Sequence, residues 1–141
     1  MTPDLEAIFP GLHGTAYRVT SPNDSRYNCV AWAAGDTLRW WWPDDESYWP
    51  PTVPREETVA ALEAAFASLG YAVCADVAVD GAEYVAVFVD TDGRPRHAAR
   101  RLPNGSWTSK LGEIVDIEHE LHALNGVEYG TVARLLRRAA T

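Results

Sequence analysis

A cysteine and a histidine far apart in the chain are candidates for nucleophilic chemistry. Cys29 lies in the segment "NCVAWAAG", and His97 lies in "RHAARR". A thiolate attacks carbonyl carbons, and an imidazole can take the thiol proton and return it to a leaving group. A helix N-terminus and a nearby imidazolium lower the pKa of such a thiol by several units. We therefore interpret Cys29 as a candidate nucleophile and His97 as its candidate base.

Each of the two residues also has a purely structural interpretation. A lone cysteine is commonly a buried packing residue, and a histidine in a sheet is commonly held by ordinary hydrogen bonds. The small residues after Cys29 favour the catalytic interpretation, because they leave the sulfur uncrowded and allow a helix to pack closely on a sheet.

The first half of the chain predicts short helices separated by irregular segments. The predicted elements are a helix in "TPDLEAIF" capped by Thr2 with Pro3 in its first turn, a strand at "YRVT", a helix from about Tyr27 to Ala34 ended by Gly35, and an amphipathic helix in "ETVAALEAAFASLGY" ended by Gly70. A strand in "AVCADVAV" follows, with Cys74 expected in the core.

The second half predicts an antiparallel meander. "YVAVFVD" is apolar on both faces and suits a central strand, and the turns "DTDG" and "PNG" separate it from "RHAARRL" and "WTSKLG". The tail "GTVARLLRRA" fits either a closing strand or a helix. Helices followed by strands indicate the α+β class.

Strand alternation determines which residues accompany His97. His97, Ala99 and Arg101 share one face of the predicted strand, and the alternate residues share the other. We expect the helix with Asn28 and Cys29 near its N-terminus to lie across the His97 face, with the Cys29 sulfur within hydrogen-bond distance of the imidazole.

A third group that orients the imidazole depends on the turn after His97. A two-residue turn at Asn104-Gly105 places Thr108 and Lys110 on the His97 face, whereas a three-residue loop places Ser109 there. Ser109 can hold the imidazole, but a lysine ammonium has no acceptor for its proton. Asp116 and His119 are the other candidates for a third catalytic residue.

Further side chains are candidates for binding a substrate. An oxyanion would be stabilised by the backbone N–H of Cys29 together with the side-chain amide of Asn28 or Asn23. The segment from Trp40 to Trp49 is rich in aromatic residues and either packs on the core or lines a cleft. The aromatic candidates for a substrate cleft are Trp32, Trp40 and Trp107.

The segment "NCVAWA" at a helix start, followed by a strand with "HAAR", resembles the papain-like cysteine peptidase superfamily, in the style of its compact CHAP and NlpC-type amidases. The run "HAARRLPNGSWTSKLG…DIEH…YG" is similar to an uncharacterised family of small bacterial papain-like proteins. The resemblance covers about residues 20–135. It implies N-terminal helices packed on an antiparallel sheet and a thiol hydrolase or acyltransferase acting on amide bonds. Cys29 then matches the nucleophile and His97 the base.

The overall composition sets outer limits on function. The 141 residues fit one domain, residues 1–141, and the net charge of −8 disfavours nucleic acid as a partner. The chain has neither an 18-residue apolar run nor an export signal, so we expect no membrane span, a cytoplasmic location and free thiols. "HELH" has its two histidines three positions apart, whereas a zinc-protease signature needs four, so no metal and no cofactor are expected.

Two functional hypotheses follow. The first is a papain-like cysteine hydrolase with a peptide or protein substrate. The second is a non-catalytic protein-binding module on the same scaffold, which would use the acidic surface and the Trp40–Trp49 segment. The oligomeric state stays open.

Overall fold

Seven strands form one antiparallel sheet in the computed structural model, which describes residues 4–77 and 81–139. The strand order is β1-β6-β5-β4-β3-β7-β2. The helices are α1 (Leu5–Ile8), α2 (Cys29–Ala34) and α3 (Val59–Ala67), and the strands are β1 (Arg18–Val19), β2 (Ala72–Cys74), β3 (Glu83–Val89), β4 (Pro95–Arg101), β5 (Trp107–Lys110), β6 (Asp116–His119) and β7 (Thr131–Arg138). The α+β prediction is confirmed. No helix in the described ranges is long and apolar enough to cross a bilayer.

The central position of β3 follows from its apolar sequence. Residues 84–88 are fully buried, and β4 and β7 flank the strand on its two sides. Its side chains alternate between two apolar layers. Val85 and Val87 pack with α2 and α3, whereas Ala86 and Phe88 pack with α1 and with β5 and β6. The sheet therefore separates two cores, and every residue of β4 must face one or the other.

The predicted helix ends are largely confirmed. Asn28 caps α2, and Gly35 ends it with a φ of 85°, a left-handed conformation that glycine adopts without a steric cost. α1 is capped by Asp4, whose carboxylate accepts from the backbone N–H groups of Glu6 and Ala7. The predicted cap Thr2 and the neighbouring Pro3 lie outside the described residues.

Two elements differ from what the sequence led us to expect. The ambiguous tail is strand β7, inserted between β3 and β2, where Leu136 enters the core. Cys74 is only half-buried, because β2 is a three-residue strand at the sheet edge, and it packs against the margin of one core, so the core prediction for Cys74 holds in part. The segment predicted to continue that strand includes residues 78–80, which lie outside the described residues.

Candidate active site

Helix α2 packs on the face of the sheet opposite to the His97 side chain. Cys29 and Val30 belong to the apolar layer that contains Ala98, whereas Ala99 and Phe88, the cross-strand partner of His97, belong to the other layer. The expectation that α2 lies on the His97 face was therefore wrong. Ala98 has the smallest side chain on the α2 side of this strand, which explains the close approach of the helix.

The Cys29 sulfur nevertheless reaches the strand that carries His97. Strands β4 and β5 pair only at Arg100–Thr108 and Arg101–Trp107, so their ladder stops before His97. The backbone N–H of Ala98 acts on the Cys29 thiol next to this gap. In contrast, Nδ1 of His97 has no hydrogen-bond partner among the described residues, so the expected thiol–imidazole hydrogen bond is not formed.

The electrostatic environment of the thiol also differs from the expectation. Burial raises the pKa of Cys29, while nearby backbone N–H groups and the Lys110 ammonium only partly oppose this rise. Desolvation outweighs the helix N-terminus here, because the residue is only 8% exposed. The Cys29 thiol is therefore neutral at rest, and the expectation of a lowered pKa was wrong.

A chain of three buried side chains runs from His97 across β5 to β6. The Ser109 hydroxyl lies 2.9 Å from Nε2 of His97 and 2.7 Å from Nε2 of His119. Nδ1 of His119 lies 2.7 Å from the backbone carbonyl oxygen of Glu120. We call His97, Ser109 and His119 the histidine chain.

The positions of the protons in the histidine chain follow from its one fixed acceptor. The Glu120 carbonyl can only accept, so Nδ1 of His119 carries a proton and its Nε2 has a lone pair. The Ser109 hydroxyl donates to that lone pair and accepts from Nε2–H of His97. The single proton of neutral His97 is thus on Nε2, and its buried, unpartnered Nδ1 presents a lone pair. A lone pair in this position is what a general base requires.

Burial keeps both imidazoles in this neutral state. Desolvation lowers the pKa of His97 well below its ordinary value, and the nearby His119 lowers it further. Burial also lowers the pKa of His119. The His97 ring stacks on Tyr129, with 3.9 Å between centroids and 7° between planes, and meets the edge of Phe88 at 5.2 Å. Packing and hydrogen bonding therefore fix the orientation of the imidazole.

The loop after β4 decides which residue of β5 meets His97. Arg101 pairs with Trp107, and the backbone N–H of Leu102 donates to Ser106, so three residues close the loop. This is the register that the sequence analysis associated with Ser109. Asp116 lies on the opposite face, where Tyr27 donates to its carboxylate at 2.9 Å. Of the proposed third residues, Ser109 contacts His97 directly and His119 acts through it.

A cleft of about 280 Å³ opens beside Cys29. Its lining residues are Asn28, Cys29, Trp40, Trp42, Arg96, Gly112 and Tyr129. Tyr129 therefore contacts both parts of the candidate site, since its ring stacks on His97 and its pKa is raised by burial and by the nearby Cys29. The cleft gives the buried thiol a route to solvent.

The two predicted oxyanion residues have different surroundings. The Oδ1 atom of Asn28 accepts from the backbone N–H groups of Ala31 and Trp41 at 3.1 Å each, and its Nδ2 donates to the Trp41 carbonyl at 2.7 Å. Asn28 thus links the segment from Trp40 to Trp49, the tryptophan-rich segment, to the start of α2. Asn23 is exposed and does not line the cleft.

The predicted cleft aromatics are distributed over three places. Trp40 lines the cleft, whereas the Trp32 indole donates to the Thr108 hydroxyl at 3.3 Å. Trp107 lies on the far side of the sheet and lines another cavity, of about 520 Å³, together with His119. Within the tryptophan-rich segment, Trp41 and Trp49 are buried packing residues.

Sequence reasoning did not name four of the lining residues as site residues: Trp42, Arg96, Gly112 and Tyr129. The signal for Arg96 was present, because strand alternation puts it on the same face as Ala98. Tyr129 has no such signal in its own sequence, since its place depends on how the loop before β7 folds over β4.

One protein family matches most of the chain. Residues 18–137 match the family described as "Domain of unknown function (DUF7689)". The chain belongs to this family. Its matched range contains every residue of the candidate site. No curated protein and no solved structure matched the chain.

Proposed function

We propose that this DUF7689 protein is a papain-like cysteine hydrolase that cleaves amide bonds in peptides or proteins. The observation that supports it most directly is the free lone pair on Nδ1 of His97. Ser109 fixes the opposite nitrogen, and the adjacent residue of the strand, Ala98, contacts the Cys29 sulfur. A buried nitrogen without a partner costs stability, which favours a catalytic role over a packing role.

The first half of the proposed reaction transfers an acyl group to Cys29. The thiol proton moves to Nδ1 of His97 while the sulfur attacks the carbonyl carbon. The carbon–nitrogen bond then breaks, and the departing amine takes the proton from His97. A thioester remains on Cys29. No hydrogen bond joins the sulfur to Nδ1 in the resting structure, and this step requires the two atoms to lie about 3–4 Å apart.

The second half returns the enzyme to its resting state. His97 accepts a proton from water as the water oxygen attacks the thioester, the carbon–sulfur bond breaks, and the sulfur regains its proton from His97. An amine or alcohol in place of water would make the enzyme an acyltransferase. Ser109 and His119 are positioning residues, because they keep the His97 proton on Nε2 throughout.

The free thiols of Cys29 and Cys74 fit the reducing cytoplasm that the proposal assumes.

An activated acetyl ester, p-nitrophenyl acetate, tests the proposal without knowledge of the natural substrate. The wild-type protein should turn it over through an acetyl adduct on Cys29, and Cys29→Ala should abolish both. Cys74→Ala is the matched control and should behave as the wild type. His97→Gln should reduce turnover by about 100-fold or more, as expected for loss of a general base. Turnover that survives in Cys29→Ala would contradict the proposal.

One observation favours the second candidate, a protein-binding module. The Cys29 thiol is neutral at rest and makes no hydrogen bond to His97, as expected for a packing residue. In this case the exposed part of the tryptophan-rich segment would contact the partner. The binding module predicts that Cys29→Ala leaves the biological activity intact while Trp40→Ala abolishes it. The catalytic proposal predicts that Cys29→Ala abolishes the activity, whereas Trp40→Ala, in the wall of the cleft, only reduces it.

A further inference from the structure

One charged residue lines the cleft beside Cys29, in addition to the buried Lys110 ammonium that acts on the thiol. Arg96 is the only charged side chain among the lining residues, and it is exposed. Within residues 4–77 and 81–139 it forms no ion pair and no side-chain hydrogen bond. A chain with a net charge of −8 and 12 basic residues thus has an unpaired cation at the opening to its candidate nucleophile.

The position of Arg96 relative to the sulfur is determined by the strand. Arg96 lies two residues before Ala98 in β4, at a β-bulge opposite Phe88 and Val89, so their Cα atoms are at most about 7 Å apart. Arg96 lines the same cleft as Cys29, and the Ala98 N–H acts on the Cys29 thiol. An extended peptide advances about 3.3 Å per residue, so the guanidinium lies within about two residues of a carbonyl held at the sulfur. Guanidinium groups bind carboxylates through paired charge-assisted hydrogen bonds.

The other walls of the cleft are mainly aromatic. Trp40 and Trp42 line it together with Tyr129, and the Trp42 indole is oriented by a 2.9 Å hydrogen bond to Glu57. Flat apolar surfaces of this kind hold aliphatic or aromatic groups. The cleft therefore combines an apolar wall with a single cation.

We propose that the preferred substrate carries a carboxylate within about two residues of the scissile carbonyl, and that Arg96 binds this carboxylate while the tryptophans hold an apolar group. This inference rests on the proposed function, since it assigns the substrate class of the same site. The carboxylate is either the free C-terminus of a short peptide or an acidic side chain.

Alkylation by two reagents that differ only in charge tests the role of Arg96. Iodoacetate carries a carboxylate and iodoacetamide does not, so the ratio of their rates at Cys29 cancels the intrinsic reactivity of the thiol. Arg96→Gln should lower this ratio by about three- to tenfold, and Arg96→Glu should lower it further. Cys74 in the same molecule is the internal reference, and its ratio should not change. Arg94→Gln, which removes an exposed arginine outside the cleft, is the matched control.

Protection experiments identify the source of the carboxylate. N-acetylphenylalanine offers a terminal carboxylate, N-acetylglutamic acid α-amide offers a side-chain carboxylate, and N-acetylphenylalanine amide is neutral. One of the two acids should slow the alkylation of Cys29 by iodoacetamide more than the neutral amide does, and Arg96→Gln should remove the difference.

The outcomes separate this inference from the proposed function. A normally reactive Cys29 whose alkylation ratio is the same in the wild type and in Arg96→Gln would overturn the substrate assignment alone. A Cys29 that neither reagent labels would overturn the proposed function and the substrate assignment with it.

Discussion

Ser109→Ala is the sharpest perturbation of the histidine chain, because it removes one oxygen and changes little else. The hydroxyl accepts from Nε2–H of His97 and donates to Nε2 of His119. Both nitrogens are buried, with His97 0% and His119 5% exposed. The space left by one oxygen atom is too small for a bridging water, so both nitrogens lose their partners.

The expected cost follows from two unsatisfied buried groups. Each costs roughly 1–3 kcal/mol, so we expect the free energy of unfolding to fall by about 2–6 kcal/mol. For a chain of 141 residues this corresponds to a melting temperature lower by about 10 °C. The substitution also removes the bond that keeps the His97 proton on Nε2, so the alkylation rate of Cys29 should fall as well.

Urea denaturation and the rate of Cys29 alkylation are the two assays. Ser106→Ala is a suitable control, since Ser106 is half-buried in the preceding loop and bonds Asn104 through its backbone N–H. This control should change stability by less than about 0.5 kcal/mol. A double-mutant cycle with His119→Leu should show a coupling of about 1 kcal/mol or more. If Ser109→Ala is as stable as Ser106→Ala, the proposed proton arrangement is wrong.

Three further predictions concern the fold that supports the site. Because the pKa values of both histidines in the histidine chain are lowered, the unfolded chain binds protons below pH 6.5 that the folded protein does not. His97 alone should therefore lower the free energy of unfolding by about 1.4 kcal/mol between pH 7.5 and 5.5. Urea titrations that show no decrease would contradict this prediction. Asn28→Ala removes three hydrogen bonds and should lower the free energy of unfolding by about 2–4 kcal/mol. Asn23→Ala, at an exposed residue, should lower it by less than about 0.5 kcal/mol. Equal melting temperatures of the two variants would contradict the structural role of the Asn28 hydrogen bonds. Gly130→Ala would place a Cβ 1.8 Å from a backbone oxygen and should lower the free energy of unfolding by more than about 3 kcal/mol. Gly93→Ala, where φ is also positive but the space is open, should lower it by only about 1–2 kcal/mol in thermal melting. Similar losses in the two variants would refute this packing argument.

The sequence predicted the elements better than it predicted how they pack. Caps and stops have local causes, so the end of α2 at Gly35 could be predicted from residue types alone, and the predicted start near Tyr27 lies within two residues of the observed start at Cys29. The face of the sheet on which α2 packs has no local signature. Both faces of β4 carry alanines near His97, and only the packing of the whole domain selects Ala98 over Ala99.

The candidate site was predictable to a similar degree. Strand alternation limited the pairing of β4 with β5 to two registers. The observed three-residue loop gives the register that places Ser109 beside His97. The pKa of Cys29 was not predictable, because the helix N-terminus is visible in the sequence whereas the burial that outweighs it is not. Tyr129 became part of the site only through a long-range ring contact with His97.

The most direct test of a catalytic Cys29–His97 pair is the iodoacetamide labelling rate of the two cysteines in the folded protein, read by mass spectrometry. The proposal predicts that Cys29, although buried and neutral at rest, is labelled at least about tenfold faster than Cys74 near neutral pH, because His97 accepts the thiol proton as the sulfur attacks. His97→Gln should remove this advantage while leaving the rate at Cys74 unchanged. Equal, slow labelling of both thiols in the wild-type protein would contradict the proposal.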